Sequence, residues 1–142
     1  MRSDIRTRTL FGATATDYAG QSVPAVIPEP MLPKGTRCVE LHTSSVNLDH
    51  FYDLHPAEQD LVSHAVDRRK ADFGDSRWCA HQAIADLAED EPILRGERGM
   101  PAFPEGVTGS LTHTEGYRAA LVGRTSRWRS LGIDAEPASA LP

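Results

Sequence analysis

Two acids at i, i+2 spacing, Asp134 and Glu136, follow the apolar run Leu131-Gly132-Ile133. In a strand, such a pair points to one face. Two carboxylates side by side at a strand end suit a hard divalent cation that keeps waters and bridges to phosphate. Upstream, a glycine- and proline-punctuated loop runs from Gly99 into Gly109-Ser110-Leu111-Thr112-His113. Alternation puts Leu111 and His113 on one face of that strand and Ser110 and Thr112 on the other. His113 beside two acids and a glycine-rich loop suits donation to a phosphate oxygen. Each piece alone reads equally as a solvated strand end or a structural histidine.

Cations of the right kind lie elsewhere. Arg95-Gly96-Glu97-Arg98-Gly99 is a turn carrying Arg95 and Arg98 between glycines that let backbone approach a ligand closely. As a bare turn it would simply be exposed and basic. Arg69 and Arg77 stand slightly over two helical turns apart and broadly share a face. Arg77 falls on an otherwise apolar stripe and therefore needs an anion, from Asp72, Asp75 or an external phosphate. Trp78 beside it reads as core.

These residues need a frame. The chain has 142 residues, enough for one small domain with a modest core. Net charge is -5, which argues against a broad nucleic-acid-binding surface. Lys34 and Lys70 are the only lysines, so bidentate anion contacts fall to arginine. Cys38 and Cys79 lack metal-type spacing, and Cys79 reads as a buried free thiol. No stretch is apolar enough to span a membrane, and Met1–Leu10 lacks the apolar core of an export signal. A reduced, cytoplasmic setting is the default expectation.

Breakers dominate residues 1–35 and predict an irregular leader. Thr36–His42 alternates as a strand, followed by a polar loop to His55. Pro56 opens a helix with an apolar stripe of Ala57, Leu61, Val62 and Ala65 reaching about Arg69. A second helical pattern runs from Phe73 to Leu87, and Gly74 allows one bent helix or two short ones. Residues 94–109 are loop. Three short strands close the pattern: Val107–His113, Tyr117–Val122 and Arg129–Asp134, with Gly116 and Gly123 at the turns. The expected class is α+β, a helical hairpin packed on a small antiparallel sheet.

Taken in order, His55-Pro-Ala-Glu58, Arg69-Lys-Ala-Asp72-Phe73, Arg77-Trp-Cys-Ala80, Pro92 to Gly99, Pro101 to His113, Gly116-Tyr117 and Gly132-Ile-Asp134-Ala-Glu136 resemble the 4'-phosphopantetheinyl transferases. The likeness is greatest to the actinobacterial members of the group serving siderophore, polyketide and mycolate-type carrier proteins. It runs from about His55 to Pro142 and is weak or absent before residue 54. It implies one half of a pseudo-two-fold fold, with residues 36–142 as the N-terminal lobe. It implies transfer of the phosphopantetheine arm of coenzyme A to a serine of an acyl or peptidyl carrier protein. Mg2+ would sit on Asp134 and Glu136. Arg69, Arg77, Arg95, Arg98 and His113 would contact coenzyme A, with Ser110 and Thr112 in the same wall. Asp134, Glu136 and His113 would be the catalytic set. No nucleic acid and no membrane are implied as partners.

Two departures stand out. His81 occupies a place where the family often has arginine. The family's third motif, an aromatic residue followed by Lys-Glu and a further lysine, is not found in the sequence, nor is the second lobe. The expectation is therefore an incomplete, inactive fragment. A non-catalytic coenzyme A or nucleotide-binding half-domain and a lobe that associates with its own copy through an uncovered face are the alternatives. Activity of the chain by itself would direct attention to Glu105 or Glu115 for the missing base.

Overall fold

The computed structural model describes residues 12–128 and 131–133. A four-stranded sheet in the order β1-β2-β6-β5 carries the fold. Strand β2 (Thr36–His42) lies between β1 (Gly12–Asp17) and β6 (Tyr117–Arg124), and β5 (Val107–Thr114) closes the far side. The β2–β6 and β5–β6 pairs are antiparallel, while β1 runs parallel to β2. The sheet is thus mixed, where an antiparallel one was expected. The parallel strand comes from within the anticipated irregular leader. Its Ala13-Thr14-Ala15-Thr16 alternation lacks the large apolar side chains that mark a strand in sequence, and burial against β2 supplies the reason to pair.

Among the described residues three α-helices precede the hairpin: α1 (Asp49–Tyr52), α2 (Pro56–Asp60) and α3 (Asp67–Ile84). The helix expected to run from Pro56 to about Arg69 stops at Asp60. Leu61, Val62, Ser63 and Ala65 donate to carbonyls three residues back, a string of tight turns, and Val66 is extended before α3 begins. Gly74 neither bends nor breaks α3. A Cβ there would lie 2.6 Å from the Phe51 Cα and amide nitrogen, so its role is to let α1 and α3 touch backbone to side. The expected helical hairpin is therefore one long helix with two short ones against its flank.

One face of the sheet receives α3. Val39, Leu41, Ala120, Val122 and Val107 meet Cys79, Ala80, Ala83 and Ile84, with Ile93 beneath them. Phe51, Leu54, Val62 and Phe73 form a second cluster between the helices. Cys38 and Cys79 are both free and buried. The opposite face buries Cys38, Glu40, Ala119 and Leu121. Part of its cover is the chain before β2: Val26 and Ile27 donate their amides to Glu40 Oε1 and Oε2 at 2.8 and 2.9 Å. The last expected strand, Arg129–Asp134, falls mostly outside the described residues, and Leu131–Ile133 are not in a strand.

Candidate phosphate-binding site

Helix α3 distributes its charges to two flanks. Arg69, Phe73 and Arg77 recur every four residues and share one of them. The Arg77 guanidinium lies over the Phe73 ring at 4.5 Å from its centroid, and that of Arg69 lies at 5.9 Å. Arg77 is buried, and its Nε donates to the Ile93 carbonyl at 2.9 Å. Arg95 follows two residues later, on β3 (Leu94–Arg95), which pairs with β4 (Pro101–Ala102). The turn between them carries Arg98 at its tip, in a left-handed conformation with φ 56°. Arg98 and Arg95 are exposed.

Burial lowers the affinity of Arg77 for its proton, Arg95 and Arg69 push the same way, and Glu58 opposes them; the result is about 10. Its charge persists at neutral pH in an environment that disfavours it. Among the described residues, no carboxylate lies within ion-pair distance of Arg69, Arg77 or Arg95. Asp72 and Asp75, offered by the sequence as partners of Arg77, serve Arg118 instead. Arg118 Nη2 meets Asp72 Oδ1 at 2.6 Å, and its Nε faces Asp75 Oδ2 at 3.6 Å. Two guanidinium groups thus share the Phe73 ring, Arg95 is close enough to act on the charge of Arg77, and none of the three makes an ion pair among the described residues, although buried Glu58 exerts its field on Arg77.

His113 belongs to the other flank. It is paired across the hairpin with Arg118, and its Nε2 stands 4.0 Å from Asp72 Oδ2. It lines a cavity of about 450 Å3 with Thr43, Ser44, Arg68 and Asp72. Roughly 100° of rotation around α3 separates Arg68 and Asp72 from Arg69 and Phe73. Ser110 and Thr112 pair with Leu121 and Ala119, the sheet face turned away from α3. The alternation of Leu111 and His113 against Ser110 and Thr112 is therefore as read, and it keeps Ser110 and Thr112 off the face that carries His113. Ser110 Oγ accepts the Ile133 amide at 3.3 Å, which brings the chain just before Asp134 to the side of β5. Asp134 and Glu136 themselves lie outside the described residues.

The sequence did not expose Glu58 as part of this arrangement. It is fully buried, accepts the Ile93 amide at 3.1 Å and the His81 Nε2 proton at 2.8 Å, and caps α2 by accepting the His55 amide at 3.2 Å. Burial raises its pKa, but the donors from His81, Ile93 and His55 outweigh that and hold it below the ordinary carboxylate range. Glu58 thus fixes Ile93, whose carbonyl fixes Arg77. His81 is engaged with Glu58 and Asp90, so it does not stand in for a phosphate-binding arginine. Trp78, read as core, is half-buried and stacks on His50 at 4.5 Å between centroids.

Residues 57–123 match the 4'-phosphopantetheinyl transferase N-terminal domain. The chain is a relative of the 4'-phosphopantetheinyl transferases. It is 47% identical over 117 residues to the 4'-phosphopantetheinyl transferase Npt of Nocardia iowensis, covering 80% of this chain and 50% of that one. Over 88 residues it is 47% identical to PptT of Mycobacterium tuberculosis, covering 61% of this chain and 39% of PptT. Svp of Streptomyces mobaraensis is 46% identical over 90 residues, 63% of this chain and 37% of Svp. The chain spans at most about half the length of the curated relatives it matches. The match contains α3, β5 and β6 up to Gly123, and with them Arg69, Arg77, Arg95 and His113. Among the described residues, no helix is long and apolar enough to cross a membrane.

Proposed function

We propose that this chain supplies the coenzyme A phosphate-binding wall of a 4'-phosphopantetheinyl transferase. The observation that carries the reading is the pair Arg69 and Arg77 on the Phe73 ring, with Arg95 close enough to act on Arg77 and no ion-pair partner for any of the three among the described residues. A phosphate there offsets three like charges at once, and guanidinium forks bind it bidentately. Arg98, at the tip of the adjoining turn, reaches the same ligand from the solvent side. His113 donates to a second phosphate oxygen from its own cavity. Ser110 acts at one remove, by holding the segment that leads to Asp134.

Asp134 and Glu136 would hold Mg2+, whose charge offsets the growing negative charge on the diphosphate when it is bound. Two hard oxygen donors at i, i+2 suit that ion. In the reaction, the serine oxygen of an acyl or peptidyl carrier protein bonds to the phosphorus bearing the pantetheine arm. The anhydride P–O bond breaks, 3',5'-ADP leaves, and the serine proton passes to a base. The arginines hold the phosphates in place throughout.

Calorimetric titration with coenzyme A and with 3'-dephospho-coenzyme A tests the reading. Each lost charge-assisted contact costs about 1.5–3 kcal/mol of affinity, roughly ten- to a hundred-fold. Arg69→Gln and Arg95→Gln, both at accessible positions, weaken the ligand carrying the contacted phosphate more than the ligand lacking it. Equal weakening of both ligands, or none, removes the phosphate assignment. Mass spectrometry of a carrier protein incubated with the chain, coenzyme A and Mg2+ reads the transfer directly.

A further inference from the structure

On the side of α3 beyond Arg77, four side chains from separate segments converge. His55 precedes α2, Glu58 lies within it, His81 is on α3, and Asp90 is on the connection to β3. His55 Nε2 stands 3.3 Å from Asp90 Oδ1, and His81 Nδ1 stands 3.5 Å from the same oxygen. His81 Nε2 lies 2.8 Å from Glu58 Oε2. One potential ligand atom each from His55, Glu58 and His81 fall within 4.8 Å of one another.

The hydrogen-bond pattern makes this more than proximity. Glu58 is fully buried, accepts the Ile93 amide and engages the Nε2 edge of His81. That leaves the Nδ1 edge of His81 facing the Asp90 carboxylate at 3.5 Å, a separation that an ion bound to both would span. A histidine whose second ring nitrogen donates to a carboxylate is also the arrangement that orients metal-bound imidazoles. Tetrahedral Zn2+ with bonds of about 2.0–2.1 Å sets its ligand atoms roughly 3.3 Å apart. Both His-to-Asp90 separations are already near that.

The geometry points to a divalent transition-metal site of the Zn2+ class, ligated by His55 Nε2, His81 Nδ1 and Asp90 Oδ1, with Glu58 orienting His81. The phosphate contacts proposed above do not use His55, His81 or Asp90. A groove of about 290 Å3, lined also by His50, Trp78 and Gln82, leaves the fourth position open to water or a small ligand. The ion would tie α3 and the start of α2 to the connection that runs on to Ile93, the residue whose carbonyl holds Arg77.

The test is Zn2+ titration of the chelator-treated chain by calorimetry, with Mg2+ in excess to occupy sites made of oxygen alone. Co2+ provides a spectroscopic reading of tetrahedral coordination. A single saturable equivalent is expected, with intense visible Co2+ bands. Asp90→Asn changes an exposed residue, and His55→Gln a half-exposed one. Each lowers the affinity at least about ten-fold, by analogy with the loss of groups that support a metal site, while circular dichroism stays that of the parent chain. Absence of saturable Zn2+ binding in the parent overturns the proposal. So does binding that both variants leave unchanged, because the ion would then sit elsewhere, as beside His113 and Asp72.

Discussion

Gly74→Ala separates two accounts of the same glycine. Helix propensity alone favours the change by about 0.8–1.0 kcal/mol, since alanine is the better residue inside a helix. The structure gives the opposite sign. The new Cβ would meet the Phe51 Cα and amide nitrogen at 2.6 Å and its Cβ at 2.8 Å, where ordinary contact begins near 3.4 Å. Two of those atoms are backbone and cannot rotate aside, so α1 or α3 must move by several tenths of an ångström. Overpacking of this kind costs about 1–3 kcal/mol, and backbone contact places it at the upper end. The net loss is about 2 kcal/mol, a fall in thermal midpoint of roughly 6–8 °C for a chain of this size. Because α3 carries Arg69 and Arg77, its displacement should also weaken the coenzyme A binding proposed for them. Gly132→Ala is the control: a Cβ there meets nothing within 4 Å among the described residues, and the midpoint should stay unchanged. Scanning calorimetry of the three proteins decides. A Gly74→Ala protein as stable as the parent refutes the close approach of α1 and α3.

Two further outcomes follow from buried groups. Asp75→Ala removes the acid facing Arg118 Nε and the partner of His50 Nδ1 at 3.1 Å, so urea unfolding should show a loss of about 3–5 kcal/mol; a loss below 1 kcal/mol would mean that Asp72 alone satisfies Arg118. Burial pushes the Cys38 thiol up to about 12 and that of Cys79 well above its ordinary value, so a thiolate-selective reagent at pH 8.5 should label neither except at the rate of unfolding; prompt labelling of either in the folded chain contradicts its burial.

The hairpin and β2 were readable because their alternation and the turn glycine Gly116 act locally; Gly123, also read as a turn, lies inside β6, where it pairs with Thr36 and Thr108. Strand β2 spans Thr36–His42 as expected, and β5 and β6 turn at Gly116, which has φ 77°. What escaped depends on partners distant in sequence. Residues 61–65 have a helical apolar pattern, yet the chain turns there to seat Val62 against Phe51 and Phe73. Strand β1 is written in alanine and threonine, and only its neighbour makes it a strand. At the site, Arg69 and Arg77 were legible as cations on a helix face and Arg95 and Arg98 as cations of a glycine-flanked turn, and the phosphate role proposed for them leans on resemblance. The sequence could not say that Asp72 and Asp75 would be claimed by Arg118, because that pairing crosses from α3 to the hairpin. Nor could it distinguish Glu58 from any acid in a first helical turn, where a solvated side chain is the ordinary case.

The strand order has a consequence for how the chain is made. Strand β2 pairs with β6 from Thr36↔Gly123 to His42↔Tyr117, so the centre of the sheet joins segments far apart in the order of synthesis. Until β6 has left the ribosome, Val39 and Leu41 have no antiparallel neighbour, and β1 can offer β2 only one side. Ordering such a distant pair is slow, because the intervening loop must close before the contact repays it. A nascent chain halted after α3 would carry its long helix with no finished sheet to bury it against. The vulnerable period is therefore the interval between synthesis of α3 and synthesis of β6, when a holdase would meet the apolar face of α3 before the β5–β6 hairpin does.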